Sequence, residues 1–563
     1  MIAKIYKIIF FCFIIFYQNV SYSKNLDITN FNEKNIYNYF SALVSLDNNQ
    51  YSNSLKFFNS SKFLKQSYQP YINKYLFSLI LNGKITTAIK EIKTIENKKF
   101  TNFFEANLLL LLDSLKKRDY EKSAVYIKNL KKHEEEGTFE FIISSVLEEY
   151  TYLFNNNKIN QKLSEEFGNL SLINRAFQNC YLGKPDSEYF FEKVINSDER
   201  SYSRYLFFYI NFLISKKNFA DAENVSQIID PLNSTLLIAQ TKDWIQKKNF
   251  ENFEKIFSCQ NSNDIIGEFF FLISNLYSSE GYLNKSNFYF NLSNYFNPKF
   301  KFNLSLLADN YYKKKDFKKT KKILNNFNKR NEIYYWYKIK KTVEIIKKEN
   351  DSEQSFNYIE SEFNKIEKPS LKITYDMGNI VKSFKKYNLS IKYYSKVLSE
   401  LDPKSLMYAD ILYRRGGSYE RIGNAKKSDE DLLKSLQISS NEPHVLNYLA
   451  YSWLERNYKI NIAMDMLKQA YKQRKNDPYI IDSIGWAYYL IGDYVEAERL
   501  LKKAVQIMPR DPVVNDHYGD ILWKLGKKIQ ANYFWKNVLT FKDTENKLKE
   551  EIYHKLLKGP KKI

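Results

Sequence analysis

A single spacing constrains this chain more than any other feature: it repeats itself every 34 or 35 residues near its C-terminus. The copy around Gly485 runs Ile481, Ile484, Gly485, Tyr488, Gly492, Tyr494, Ala497, Leu501, Ala504, Pro509. Thirty-four residues on, the pattern returns as Tyr518, Gly519, Leu522, Gly526, Ala531, Trp535, Val538. Thirty-five residues back it reads Leu449, Ala450, Trp453, then Ala463, Leu467, Ala470, and before that Gly416, Tyr419, Gly423, Ser428, Leu432, Ser435. A period of this length belongs to stacked supersecondary units, none of which can bury its apolar face alone.

Each copy reads as two amphipathic helices, with apolar residues every three or four positions. The small residue Gly416, Ala450, Gly485 or Gly519 lets the second helix of the pair approach closely. Ala497 and Ala504 do the same where one repeat meets the next, and the larger residues fill the space between. Gly423, Gly492 and Gly526 stand at the helix–helix turn, where a left-handed residue costs glycine little. Pro443, Pro478 and Pro512 open the next copy, at the position where the missing N–H costs nothing.

These residues resemble the tetratricopeptide repeat, and the 409–545 block is similar to secreted or periplasmic tetratricopeptide proteins of proteobacteria. The resemblance implies an all-α fold, a right-handed superhelical solenoid of helix pairs. Fainter copies extend it upstream, through Ala42 and Phe58, Gly83 and Ala88, Ala222, Gly281 and Pro298, Ala308, and Gly378. Segments 138–202, 237–266 and 335–370 keep the helical period without the small residues and are expected to be degenerate pairs. The expected organisation is a signal peptide over 1–23, a degenerate solenoid over 24–404, a well-formed array over 405–545, and a capping helix with a basic tail over 546–563. In the family, the first helix of each repeat lines a concave groove. Carried over, the groove residues are Tyr413, Asn447, Tyr451, Tyr479, Asp482, Trp486, Tyr489, Asp516, Asp520 and Trp523, a set of aromatics and carboxylates suited to a peptide segment. The resemblance thus implies a non-enzymatic scaffold in the cell envelope whose partners are other proteins. His517 beside Asp516 is read as a hydrogen-bonded structural histidine rather than half of a catalytic pair.

Composition agrees. Fifteen glycines and 11 prolines in 563 residues are too few for the turns of many β-hairpins, and 44% apolar residues exclude a disordered polyelectrolyte. No catalytic or cofactor motif is present: His133-Glu134 begins a zinc-protease pattern that fails at Gly137, and Gly526-Lys527 lacks the spacing of a phosphate loop. No cofactor and no metal are expected.

Lys4 and Lys7, an apolar run from Ile8 to Tyr17, and Ser21 and Ser23 are ordered as in a secretory signal peptide. Cleavage after Ser23 and export to the periplasm or cell envelope are expected, the alternative being an uncleaved anchor in the inner membrane. Nucleic acid is then not expected as a partner. Beyond the leader only Cys180 and Cys259 remain. An oxidising compartment would permit a bridge, but their 79-residue separation, in what read as different repeats, argues against one. The net charge of +22 is uneven, and half of it falls in residues 313–348, with fourteen basic residues against three acids. Lys313, Lys314, Lys315, Lys318, Lys319, Lys321 and Lys322 head this patch. It reads as a solvated helix face or, alternatively, as a footprint for an anionic polymer or membrane face.

Overall fold

A computed structural model describes residues 32–163, 167–196, 203–349 and 352–560. The leader expected over 1–23 lies outside them. Among the described residues every regular element is helical, and no helix is long and apolar enough to cross a membrane. The chain forms an all-α solenoid of helix pairs, divided into two compact units that meet in sequence at Ile345 and Ile346. The boundary drawn at 404/405 on repeat quality is not where compactness changes. The weaker pair Leu371–Ser383 and Tyr387–Leu398 packs on the helix Leu406–Arg421, with Ser390 Oγ donating to Ser418 Oγ at 2.8 Å and Arg415 Nη1 donating to Ser395 Oγ at 2.9 Å.

In the C-terminal unit the pairs follow the repeat register: Leu406–Arg421 with Ala425–Ile438, Pro443–Glu455 with Ile460–Gln473, Pro478–Leu490 with Tyr494–Ile507, and Pro512–Lys524 with Lys528–Thr540. The small residues act as close-approach points. A β-carbon on Gly485 would stand 2.9 Å from Leu501 Cγ, so only glycine admits the second helix at that distance. Ala497 and Ala504 are fully buried. At the turn, Gly492 takes φ 87° and the next residue, Asp493, caps the following helix by accepting from Glu496 N–H. A last helix, Asn546–Lys558, follows the final pair.

The N-terminal unit departs from a stack in which each repeat touches only its neighbours. Its first pairs pack against its last ones. Phe77 stacks on Phe288 with ring centroids 5.3 Å apart, and Lys116 Nζ donates to the Tyr295 carbonyl at 2.7 Å. Two residues of the basic patch take part in this closure. Lys314 Nζ donates to Asn49 Oδ1 (2.9 Å) and Tyr51 Oη (2.6 Å), and Lys319 Nζ donates to the Asn49 carbonyl at 3.1 Å. Lys314 and Lys319 are therefore removed from the expected solvated face, and burial pushes the Lys314 ammonium down to about 8. Lys313, Lys315, Lys318, Lys321 and Lys322 are exposed. The same folding-back corrects the cysteine expectation: Cys180 and Cys259 are joined in a disulfide, their Cα atoms 5.8 Å apart. Sequence separation is a poor guide inside a unit whose distant pairs are in contact.

Candidate functional site

The first helices of the last repeats are set by local signals. Asp477 accepts from the N–H groups of Tyr479 and Ile480 just before Pro478, and Asp511 accepts from Val513 and Val514 just before Pro512. A side-chain N-cap followed by proline in the first turn fixes where each helix begins. It thereby fixes which residues look across to the neighbouring first helix.

On that face lies a cavity of about 580 Å3, lined by Glu455, Trp486, Asp516, His517, Asp520, Lys547, Glu550, Glu551, His554, Lys555 and Pro560. Its floor is a buried charge network. His517, 5% exposed, donates from Nδ1 to Asp482 Oδ2 on the preceding first helix at 2.9 Å. Lys555, from the last helix, donates to both oxygens of Asp516 (2.6 and 2.8 Å) and to Asp520 Oδ2 (2.8 Å). The remaining Asp520 oxygen accepts from Trp535 Nε1–H at 3.1 Å. One wall is aromatic: Trp486 stacks on His517 with centroids 4.2 Å apart and on Tyr489 at 4.7 Å.

The protonation of this network follows from counting charges. Three buried carboxylates, Asp482, Asp516 and Asp520, face two cations. Burial alone would lower the His517 imidazolium, but Asp482, with Asp516 and Glu455 behind it, holds it up to about 9. Burial, and then the Asp516 charge, push Asp520 up to about 7 against the pull of Lys555 and His517. Burial works against the Lys555 ammonium as well, yet Asp516 and Asp520 raise it. Near neutral pH the third carboxylate is the one that lacks a full positive partner.

The structure brings only part of the expected groove set together. Trp486, Asp516 and Asp520 line the cavity, Tyr451 lies 6.1 Å from the His517 ring, and Asp482 stands behind His517. Three corrections follow. Asp482, Asp516 and Asp520 are buried rather than open to a partner, because each pairs with a cation from the next element in the stack. Tyr489 is 2% exposed beneath Trp486, its hydroxyl without a partner. Tyr413, Tyr479 and Trp523 stand apart: Tyr413 lines a separate cavity of about 380 Å3, Tyr479 is exposed at the start of its helix, and Trp523 packs on Trp535 at 5.4 Å. Asn447 is half-buried and its Oδ1 has no partner. Sequence reasoning missed Glu455 and the whole contribution of the last helix. The signal was there: Lys547, Glu551 and Lys555 recur every four residues and so share one helix face. Among the described residues no group of His, Cys, Asp or Glu is arranged to hold a metal.

No protein-family model matches the chain. It is similar to the TPR repeat-containing protein PA4667 of Pseudomonas aeruginosa PAO1, at 31% identity over 111 residues, which are 20% of this chain. The chain spans only 19% of the length of that curated relative. Among solved structures, that of Pseudomonas aeruginosa pilF is 17% identical and covers 32% of this chain and 79% of that one, with a TM-score of 0.28. TTC0263, a tetratricopeptide protein of Thermus thermophilus, is 17% identical and covers 33% of this chain and 100% of that one, with a TM-score of 0.29. At such TM-scores neither overlap bears on function. The repeat spacing, the helix pairs that realise it and the similarity to PA4667 agree: over those 111 residues the chain resembles a tetratricopeptide-repeat protein, and its helix pairs are of that kind.

Proposed function

We propose that this chain is a non-enzymatic protein-binding scaffold of the cell envelope, and that it receives partner segments on the first-helix face of its C-terminal unit. The observation that carries the reading is the cavity between Glu455, Trp486 and the last helix. It combines a flat aromatic wall with buried polar groups, the composition that gives an interface both contact area and orientation. Tetratricopeptide repeats are in general protein-interaction modules, and the polar atoms of Asn447, Asp482 and Tyr489 that lack partners lie on these same helices. Export is supported by the order of residues 1–23 and by the Cys180–Cys259 bridge, since disulfides persist in oxidising compartments.

The test is a crosslinking pull-down from an envelope fraction with the full chain and its Trp486→Ala variant. Capture of the main partner is expected to be lost while helicity by circular dichroism is kept. A second reading rests on the exposed lysines Lys313, Lys315, Lys318, Lys321 and Lys322, which would hold an anionic polymer or membrane face. If neutralising these five removes binding, the binding is steeply salt-dependent and Trp486→Ala leaves it intact, the second reading replaces the first. N-terminal sequencing of the envelope protein is expected to start at Lys24 or within a few residues; an intact Met1 refutes cleavage and leaves the anchored form.

A further inference from the structure

One wall of the cavity is the chain's own last helix, and that helix is lightly held by apolar contact. Of its thirteen residues Ile552 alone is buried, Leu548 and Leu556 pack partly on the core, and Tyr553 and Leu557 are 58% and 83% exposed. Its polar attachment is the Lys555 ammonium between Asp516 and Asp520, where the side chains are 14%, 9% and 4% exposed.

With the last helix lifted away, Lys547, Glu550, Glu551, His554 and Lys555 leave together. The face that remains carries Glu455, Asp482, Asp516 and Asp520 against a single cation, His517. Leaving buried carboxylates without a counter-charge is costly, so whatever occupies this face must bring positive charge with it. The geometry also says which kind. The two carboxylates hold one ammonium through three short hydrogen bonds, and the stacked Trp486–His517 pair beside them offers a flat surface for an aliphatic stem. Even with Lys555 seated, the network is one cation short, and burial together with the Asp516 charge raises the Asp520 carboxyl. The groups that act on Asp520 are Asp516 and His517 from its own helix, Tyr489 from the preceding first helix, Trp535 from its paired helix and Lys555 from the last; Glu455, Lys547, Glu550, Glu551 and His554 line the same cavity.

We infer that this face is a binding site for a lysine side chain on a partner segment, and that Lys555 is its resident competitor, so that the last helix is a displaceable plug. The inference rests on the reading of this face as the partner surface and adds the chemistry of the occupant. An acidic or purely apolar segment would leave Asp516 and Asp520 unpaired and is rejected.

The probe is a labelled twelve-residue peptide of alternating lysine and alanine, with norleucine-for-lysine and glutamate-for-lysine versions as controls, titrated by fluorescence anisotropy against the full chain. The chain's net charge of +22 opposes general adsorption of a cationic peptide. Lys555→Gln, which removes the competitor, is expected to bind the lysine peptide at least about tenfold more tightly than the unmodified chain, because the open state no longer has to be selected. Asp516→Asn added to Lys555→Gln is expected to abolish that gain, the norleucine control is not expected to bind, and any binding of the glutamate control to the basic surface is expected to be the same for all three chains. Hydrogen exchange of the unmodified chain gives a second readout that needs no variant: amides of 546–558 are expected to lose protection as the lysine peptide binds. Equal affinity of the two chains, a gain that survives Asp516→Asn, or unchanged protection of 546–558 at saturating peptide would each overturn the inference. Should Lys555→Gln lose helicity, the hydrogen-exchange result decides. A natural partner whose capture needs Trp486 but ignores both Lys555→Gln and the lysine peptide would overturn this inference and leave the scaffold reading standing. Capture indifferent to Trp486 as well would overturn both.

Discussion

Raising the pH from 6.5 to 9.5 is expected to loosen the C-terminal unit through one residue, His517. Its imidazole is buried, bonded to Asp482 at 2.9 Å, and held up to about 9 from an ordinary 6.5. A histidine whose folded value is raised stabilises the fold fully below its unfolded value, and that contribution is lost as pH rises through the folded one. The gap between 6.5 and about 9, at about 1.4 kcal/mol per unit, is worth roughly 3 kcal/mol. Asp520 acts with the same sign at lower pH: pushed up to about 7, it favours the fold while protonated, and that advantage is lost as pH rises towards neutrality. The assay is urea unfolding of the full chain at pH 6.5, 7.5, 8.5 and 9.5, followed by tryptophan fluorescence. Trp453, Trp486, Trp523 and Trp535 report on the C-terminal unit, and Trp244 and Trp336 on the N-terminal one. His517→Gln serves as the reference because it cannot titrate, and comparison with it cancels the falling net charge. Relative to His517→Gln, which starts weaker and keeps the titrations of Asp520 and Lys382, the unmodified chain should lose urea resistance across this interval. Parallel pH profiles for the two would refute the reasoning, since His517 would then not be the titrating group.

Three perturbations probe the packing. Ala497→Leu places a larger side chain at a fully buried contact and should cost about 1–3 kcal/mol in denaturant unfolding, whereas Lys502→Leu, exposed on the same helix, should change little. Gly519→Ala should destabilise although alanine is the better helix former by about 1 kcal/mol, because its β-carbon would press on the indole of Trp535, which is fully buried and bonded to Asp520; a stabilised variant would disprove that close approach. Reducing the Cys180–Cys259 bridge opens a loop of 79 residues and should cost the N-terminal unit about 4 kcal/mol on the loop-entropy account. Reductant should leave a Cys180→Ala variant unaffected, and no effect of reductant on the unmodified chain would count against the pairing.

How far the amino-acid order reaches depends on the range of the forces involved. Helix pairs, their turns and their starts are written locally. The 34-residue return of Gly485 and Gly519, the prolines at 443, 478 and 512, and the caps at Asp477 and Asp511 all act within a few residues, and each is where the spacing requires it. The burial of Ala497 and Ala504 follows from the same register. Membership of the concave set was only partly readable. Position along a helix says that Asp482, Asp516 and Asp520 look towards the neighbouring first helix. It does not say that His517 and Lys555 will meet them there, 35 and 39 residues further on, and turn them from an open surface into a buried, ion-paired floor. The Cys180–Cys259 bridge and the seating of Lys314 against Asn49 and Tyr51, 265 and 263 residues away, belong to the same class. Each requires two distant helix pairs to come into register, and that registration is the sum of small rotations between many successive pairs. No single residue encodes such a sum, so the repeat units were readable in one dimension while their closures emerged only when the whole stack was assembled.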